Sequence, residues 1–269
     1  MEVHHHPNVE KKSFKEYLLE GLMIFIAVTM GFFAESLREH INDRSKETEY
    51  MTAFVKDLAR DTSEINRTLR VDIDILRHIN TLQDVMLKVP SDQPSIIQAY
   101  KLVFYTMDEE TVNFSDAGYS QLKNSGDMRL IHFPEVADSI LDYESGVKNC
   151  RDQAGYYAQQ TVKLFSESKH IFQPDFGIAW WKTAITYTDT SVEQRRTPPG
   201  FYDSLSVSHP FSFMTTDPKV FQEYCSEVFI DNRVITSYVE QIQRQKRKAL
   251  SLMKFLEGKY DIPVPGKPE

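Results

Sequence analysis

Glu20, Ala27, Gly31, Ala34, Glu35 and Arg38 are the residues whose types and spacing could do chemistry. At ~100° per residue on a helix, Glu20 falls near about 0°, Ala27 near about -20°, Gly31 near about +20°, Ala34 near about -40°, Glu35 near about +60° and Arg38 near about 0°. Small residues and charges therefore share one stripe. Ala27-x-x-x-Gly31 is a small-xxx-small pair, which lets two backbones approach closely where lipid offers no hydrophobic drive for association. A carboxylate on such an edge has two courses. It can turn into a helix assembly, where Arg38 neutralises Glu35 of its own or a neighbouring chain, or it can snorkel to headgroup water. Glu20 carries the sharper chemistry, because single-anchor subunits of proton- or ion-coupled membrane complexes place an acid in an N-terminal span as a relay beside a multi-span partner.

No second constellation competes with this one. The chain has no GxGxxG, no P-loop, no HExxH and no nucleophile elbow. His132, His170 and His209 are scattered among unrelated segments, and Asp108, Glu109 and Glu110 read as a solvated loop. His4, His5 and His6 stand in a row on a tail that fixes no coordination geometry without further ligands; metal binding, a tag, or a tail that gains charge in acid are the readings open to them. Cys150 and Cys225 lie in no CxxC or zinc spacing. They are either both free and buried, or paired if the domain faces an oxidising periplasm. With 31 basic against 39 acidic residues the net charge is -8, which argues against nucleic acid as partner. The run Arg244 to Lys248 is the solvated face of a helix or a lipid or protein contact. No cofactor and no enzymatic activity are expected.

The stripe needs a helix to carry it. Gly21 to Ala34 is uncharged and apolar, and extension from Tyr17 to Leu37 gives 21 residues, enough at ~1.5 Å each to span a ~30 Å hydrocarbon layer. The rivals are a buried helix of a soluble protein and a cleavable signal, the latter disfavoured because Phe32 before Ala34 breaks the small-x-small rule. Lys11, Lys12 and Lys15 on one side balance Arg38, Arg44 and Lys46 on the other, so charge leaves orientation tied. The early span favours a short basic tail on the cytoplasmic side of the inner membrane and a large periplasmic domain.

The opening MEVHHHPNVEKKSFKEYLLEGLMIFIAVTMGFFAESLREHI, with YSQLKNSGDMRLI from Tyr119 to Ile131 and Ile140 to Tyr143 after it, resembles a family of single-pass membrane proteins of the Bacteroidota that carries a domain of unknown function. The resemblance is close over about the first forty residues. It implies a bacterial envelope protein with one anchor and a helical body, and it implies no activity, substrate or catalytic residue.

The predicted class is all-α, an N-terminal transmembrane helix continuing into an elongated antiparallel helical bundle. The segments are a tail (1–16), the span (17–37), a polar stalk (38–50), a bundle (51–260) and a mobile end (261–269). Between Asn8 and Val89 there is no proline, so one helix can run on past the membrane. Its apolar positions, Met51, Phe54, Val55, Leu58, Ile65, Leu69, Ile73, Leu76, Ile79, Leu82, Val85 and Met86, predict a core-facing stripe with a partial heptad character. Ser115 or Asp116 should cap a short helix that Gly126 stops, with Asp127 and Arg129 serving the turn. A helix from Pro134 to about Phe172 should present Val162 and Phe165 to the core and kink at Gly146 and Gly155. Gln173 to Met214 is irregular and aromatic-rich. Asp217-Pro218 starts a last helix of about forty residues that should lie beside the first. Function is then expected to be that of a non-enzymatic, oligomeric, membrane-anchored scaffold or sensor-like protein; the alternative is an accessory subunit using Glu20.

Overall fold

The computed structural model describes residues 13–175, 177–178 and 211–263. Among these residues lie five α-helices and no strand: α1 (Phe14–Met86), α2 (Gln93–Val103), α3 (Ala117–Asn124), α4 (Pro134–Ser168) and α5 (Pro218–Tyr260). Two 3-10 turns, Phe104–Met107 and Asp127–Leu130, and one isolated bridge between Phe172 and Phe213 complete the inventory. The class is all-α, as predicted.

α1 is unbroken over 73 residues, a rod of about 110 Å. It begins in a capping box, the Ser13 backbone N–H donating to the Glu16 carboxylate at 2.8 Å. No residue in its sequence forces a break. It ends at Met86, where Val89 takes a left-handed backbone (φ 47°) immediately before Pro90. For a β-branched residue that conformation is strained. The two halves of α1 differ in what they bury. Up to Lys46 every residue is exposed or partly so, whereas from Glu47 onward buried residues recur at heptad spacing. Met51, Leu58, Ile65, Asp72, Ile79 and Met86 form one register; Glu47, Phe54, Asp61, Thr68, Ile75 and Leu82 form the other.

α4 and α5 repeat the pattern, with Tyr143, Cys150, Tyr157 and Leu164 on α4 and Tyr224, Asp231, Tyr238, Gln245 and Leu252 on α5. The three long helices therefore seal a common core. α4 runs parallel to α1, its Tyr143 and Tyr157 reaching Asp61 and Asp72. α5 runs antiparallel to both, joined to α1 by Asn232–Asn80 and Tyr260–Glu47 and to α4 by Gln245–Tyr143 and Lys259–Glu135. Two long helices side by side are what the proline-free runs predict.

Several details correct the sequence reading. Leu69, Leu76 and Val85 are only partly buried and Ile73 is 44% exposed, because the heptad hands the core positions to Thr68, Asp72 and Ile75 instead. Val162 and Phe165 face outward. α4 ends at Ser168 and passes through Gly146 and Gly155 as one helix. At Gly146 a Cβ would collide with the buried Gln245 amide, so the missing side chain makes room for α5. Neither Ser115 nor Asp116 caps α3 with its side chain; Asp57 of α1 does so, accepting from Gly118 N–H at 2.9 Å. Gly126, at φ 74°, stops α3 as expected. Asp217 caps α5 through Lys219 N–H at 2.9 Å. Cys150 and Cys225 are both free and buried. The α4–α5 register, Tyr143 against Gln245 and Asp142 against Lys248, sets the two cysteines roughly 20 Å apart along the bundle at ~1.5 Å per residue.

The ends of the irregular segment pack on the far end of the bundle. The Tyr100 ring meets Phe172 at 5.0 Å and Phe211 at 5.1 Å, and its hydroxyl donates to the Ser212 carbonyl at 2.8 Å. Trp180, Trp181, Tyr187, Phe201 and Tyr202 lie outside the described residues, as do Phe176, His4, His5, His6 and His209.

Candidate functional site

The predicted stripe lies on a single uninterrupted helix, so its angular geometry holds: Glu20, Ala27, Gly31, Ala34, Glu35 and Arg38 share one side of α1. All are exposed except Glu20, which is partly buried. A Cβ added at Gly31 would meet nothing within 4 Å, which leaves that edge open. Arg38 pairs with Glu35 of the same chain, one turn away, and the Thr29 hydroxyl donates back to the Phe25 carbonyl at 2.7 Å. α1 is the one helix among the described residues that is long and apolar enough to cross a membrane, and none of that stretch is buried. That stretch of α1 is no part of the bundle's core.

A second set of residues, which apolar periodicity overlooks, ties the α1–α4 connection to the bundle. From Glu110 to His132 the chain runs back along α1, and polar side chains of α1 hold it. Arg67 pairs with Glu110 at 2.8 Å. Asp61 accepts from Ser115 N–H at 2.7 Å, Asp57 from Gly118 N–H at 2.9 Å, and Glu47 from His132 N–H at 2.7 Å. Glu47 also accepts from the Tyr260 hydroxyl at 2.6 Å, so one carboxylate clasps both the connection and the end of α5 where the bundle begins. Tyr50 donates to Asp127 at 2.6 Å, holding the corner after α3 and drawing its carboxyl below the usual range. Glu110 is thus an ion-pair partner, not part of a wholly solvated loop.

Two polar layers cross the core. In the layer nearer the span, Asp61 is 1% exposed yet fully bonded, its second oxygen accepting from the Tyr143 hydroxyl at 2.7 Å. Gln245 donates to the Tyr143 carbonyl at 2.9 Å and completes it. Burial raises the Asp61 carboxyl, and the Tyr143 and Ser115 donors oppose that rise. In the farther layer Asp72 meets the Tyr157 hydroxyl only at 3.4 Å, and its other oxygen has no hydrogen-bond partner. Thr68, Thr161 and both oxygens of Asp231 are likewise buried without partners. Burial pushes Asp72 up to about 8, with the Glu110 carboxylate adding to the rise and the Tyr157 hydroxyl and the Glu110 backbone amide opposing it, and burial alone pushes Asp231 up to about 7.

Nothing in this geometry assembles a nucleophile with a base, and no group of His, Cys, Asp or Glu among the described residues could hold a metal ion. His132 serves through its backbone, its ring lying edge-on to Phe133 at 5.2 Å, and His170 stands beside Glu167 at the exposed end of α4. Fold and site define a class: an all-α bundle whose first helix extends into an exposed apolar stretch. Beyond that class the comparisons add nothing, since no family model, no curated protein and no solved structure matches the chain.

Proposed function

We propose that this chain is a membrane-anchored helical scaffold or sensor-like protein of a bacterial envelope, acting by assembly and not by catalysis. The span crosses the inner membrane once, and the bundle stands in the periplasm. Copies associate through Ala27, Gly31 and Ala34. One observation carries this reading: α1 is continuous from the exposed apolar stretch into the buried heptads. A helix without a hinge transmits rotation or tilt of its membrane end directly to the core it helps to build. The open edge at Gly31 supports self-association, because a glycine backbone permits the close approach on which helix pairing in lipid depends. The resemblance of the opening forty residues supports the envelope assignment.

Cross-linking in native membranes tests the proposal. Discrete multimers are expected, and Gly31→Leu should strongly reduce them while leaving the bundle folded, since a Cβ added there meets nothing within 4 Å and the position lies outside the buried part of α1. A strictly monomeric protein would remove the proposal's support. Reporter fusions at the carboxyl end report the side of the membrane.

A further inference from the structure

Heptad core positions normally take apolar side chains, and polar ones persist there when they are fully bonded or serve a switch. The polar core positions differ in this respect. In the Asp61–Tyr143–Gln245 layer every polar group at issue has a partner. Farther from the span, Asp72 has one long contact to Tyr157, the Glu110 backbone amide nearby and one oxygen without a hydrogen bond, and Asp231, at a further level of the core, has two bare oxygens. These two side chains belong to residues 0% and 1% exposed. Facing Asp72 are Tyr157 of α4, Tyr238 of α5 and Glu110 of the connection, whose charge Arg67 offsets. Facing Asp231 are Tyr157 across the core and Tyr224 on its own helix. No Lys, Arg or His among the described residues pairs with either carboxyl. An ionised carboxylate held there would be uncompensated, so that stretch of the core closes on protons or opens to water.

We propose that Asp72 and Asp231, set about one heptad apart along the core by the Asp72–Tyr238 and Asn80–Asn232 contacts, are together a proton-operated release point for the Pro218 end of α5. With both carboxyls protonated, that half of α5 stays packed on α1 and α4. When they lose their protons, it separates and that stretch of the core hydrates, while the bonded Asp61 layer and the Glu47–Tyr260 clasp keep the membrane-proximal half closed. The rim contacts that must give way, Lys163–Glu227 at 2.7 Å and Asn232–Asn80 at 2.7 Å, are exposed or half-exposed and therefore weak. The burial-raised carboxyls place the transition near neutral pH. The device does not depend on whether copies associate through the span.

Hydrogen–deuterium exchange on the full-length protein in lipid nanodiscs tests it, with the intrinsic pH dependence of amide exchange divided out. Between about pH 6 and about pH 9, protection of amides around residues 224–238 should fall about tenfold or more, while that around 245–256 stays constant. The double variant Asp72→Asn, Asp231→Asn should show no such fall. A wild-type protein whose two α5 halves respond alike to pH, or a fall that persists in the double variant, overturns the proposal. Should the variant not fold, the wild type still decides: an infrared carbonyl band of buried protonated carboxylic acid is expected at about pH 6 and should vanish by about pH 9. Its absence at the lower pH overturns the proposal equally.

Discussion

Asp61→Ala should lower the stability of the bundle by about 2–5 kcal/mol, read by chemical denaturation at constant pH. The carboxylate is buried between three pieces of chain and both its oxygens accept, one from the Ser115 backbone and one from the Tyr143 hydroxyl. Truncation leaves two donors in the core without acceptors and a void where the carboxylate stood, and each orphaned donor costs about 1–3 kcal/mol. Tyr143→Phe should be milder, at about 1–2 kcal/mol, because it removes one donor and keeps the ring that packs edge-on to Phe54. Asp61→Asn falls between, since an amide offers one acceptor where two are needed. The order Ala, Asn, then Tyr143→Phe is the expected outcome. A loss for Asp61→Ala smaller than that for Tyr143→Phe would mean that Ser115 is not held through Asp61.

What the sequence discloses here follows from which forces leave a pattern. Helix existence and class are legible because proline and glycine are scarce in the long runs and because Asp217-Pro218 and Gly126 punctuate them with known backbone physics. The stripe from Glu20 to Arg38 is legible because helical angle depends on sequence separation alone. The core register between Ile65 and Ile79 is not, since a search for apolar residues selects Leu69, Ile73 and Leu76 and passes over Thr68 and Asp72, which occupy the buried positions. One signal could have found them: strict seven-residue spacing back from Ile79 and Met86 lands on Asp72, and from Ile75 and Leu82 on Thr68. The cap of α3 is hidden for a different reason. Asp57 is some sixty residues away in sequence, and only the return of the connection along α1 brings it to Gly118.

Asp231→Leu should raise stability at about pH 8 by about 1–4 kcal/mol, the reverse of what most core substitutions do. Asp231 sits on the Tyr224–Tyr238–Gln245 register of α5 with no partner for either oxygen, so its replacement orphans nothing and adds apolar contact. The pH dependence fixes the sign. In the unfolded chain an aspartate titrates near about 3.9, whereas burial holds folded Asp231 near about 7 and Asp72 near about 8. As pH rises through that interval the unfolded state gives up protons that the folded state keeps, so the contribution of these groups is greatest below about pH 4 and declines until both have ionised. Half-buried Glu144, raised to about 7 chiefly by burial and with Arg151 opposing the rise, adds to the same decline. The leucine variant removes Asp231's share of this slope, so its melting temperature should exceed that of the wild type by more at alkaline than at acidic pH. Equal gains at both ends would assign the benefit to packing alone and imply that Asp231 is neutral throughout. A loss at both ends would show that the bare oxygens find partners, such as buried water, that leucine cannot replace.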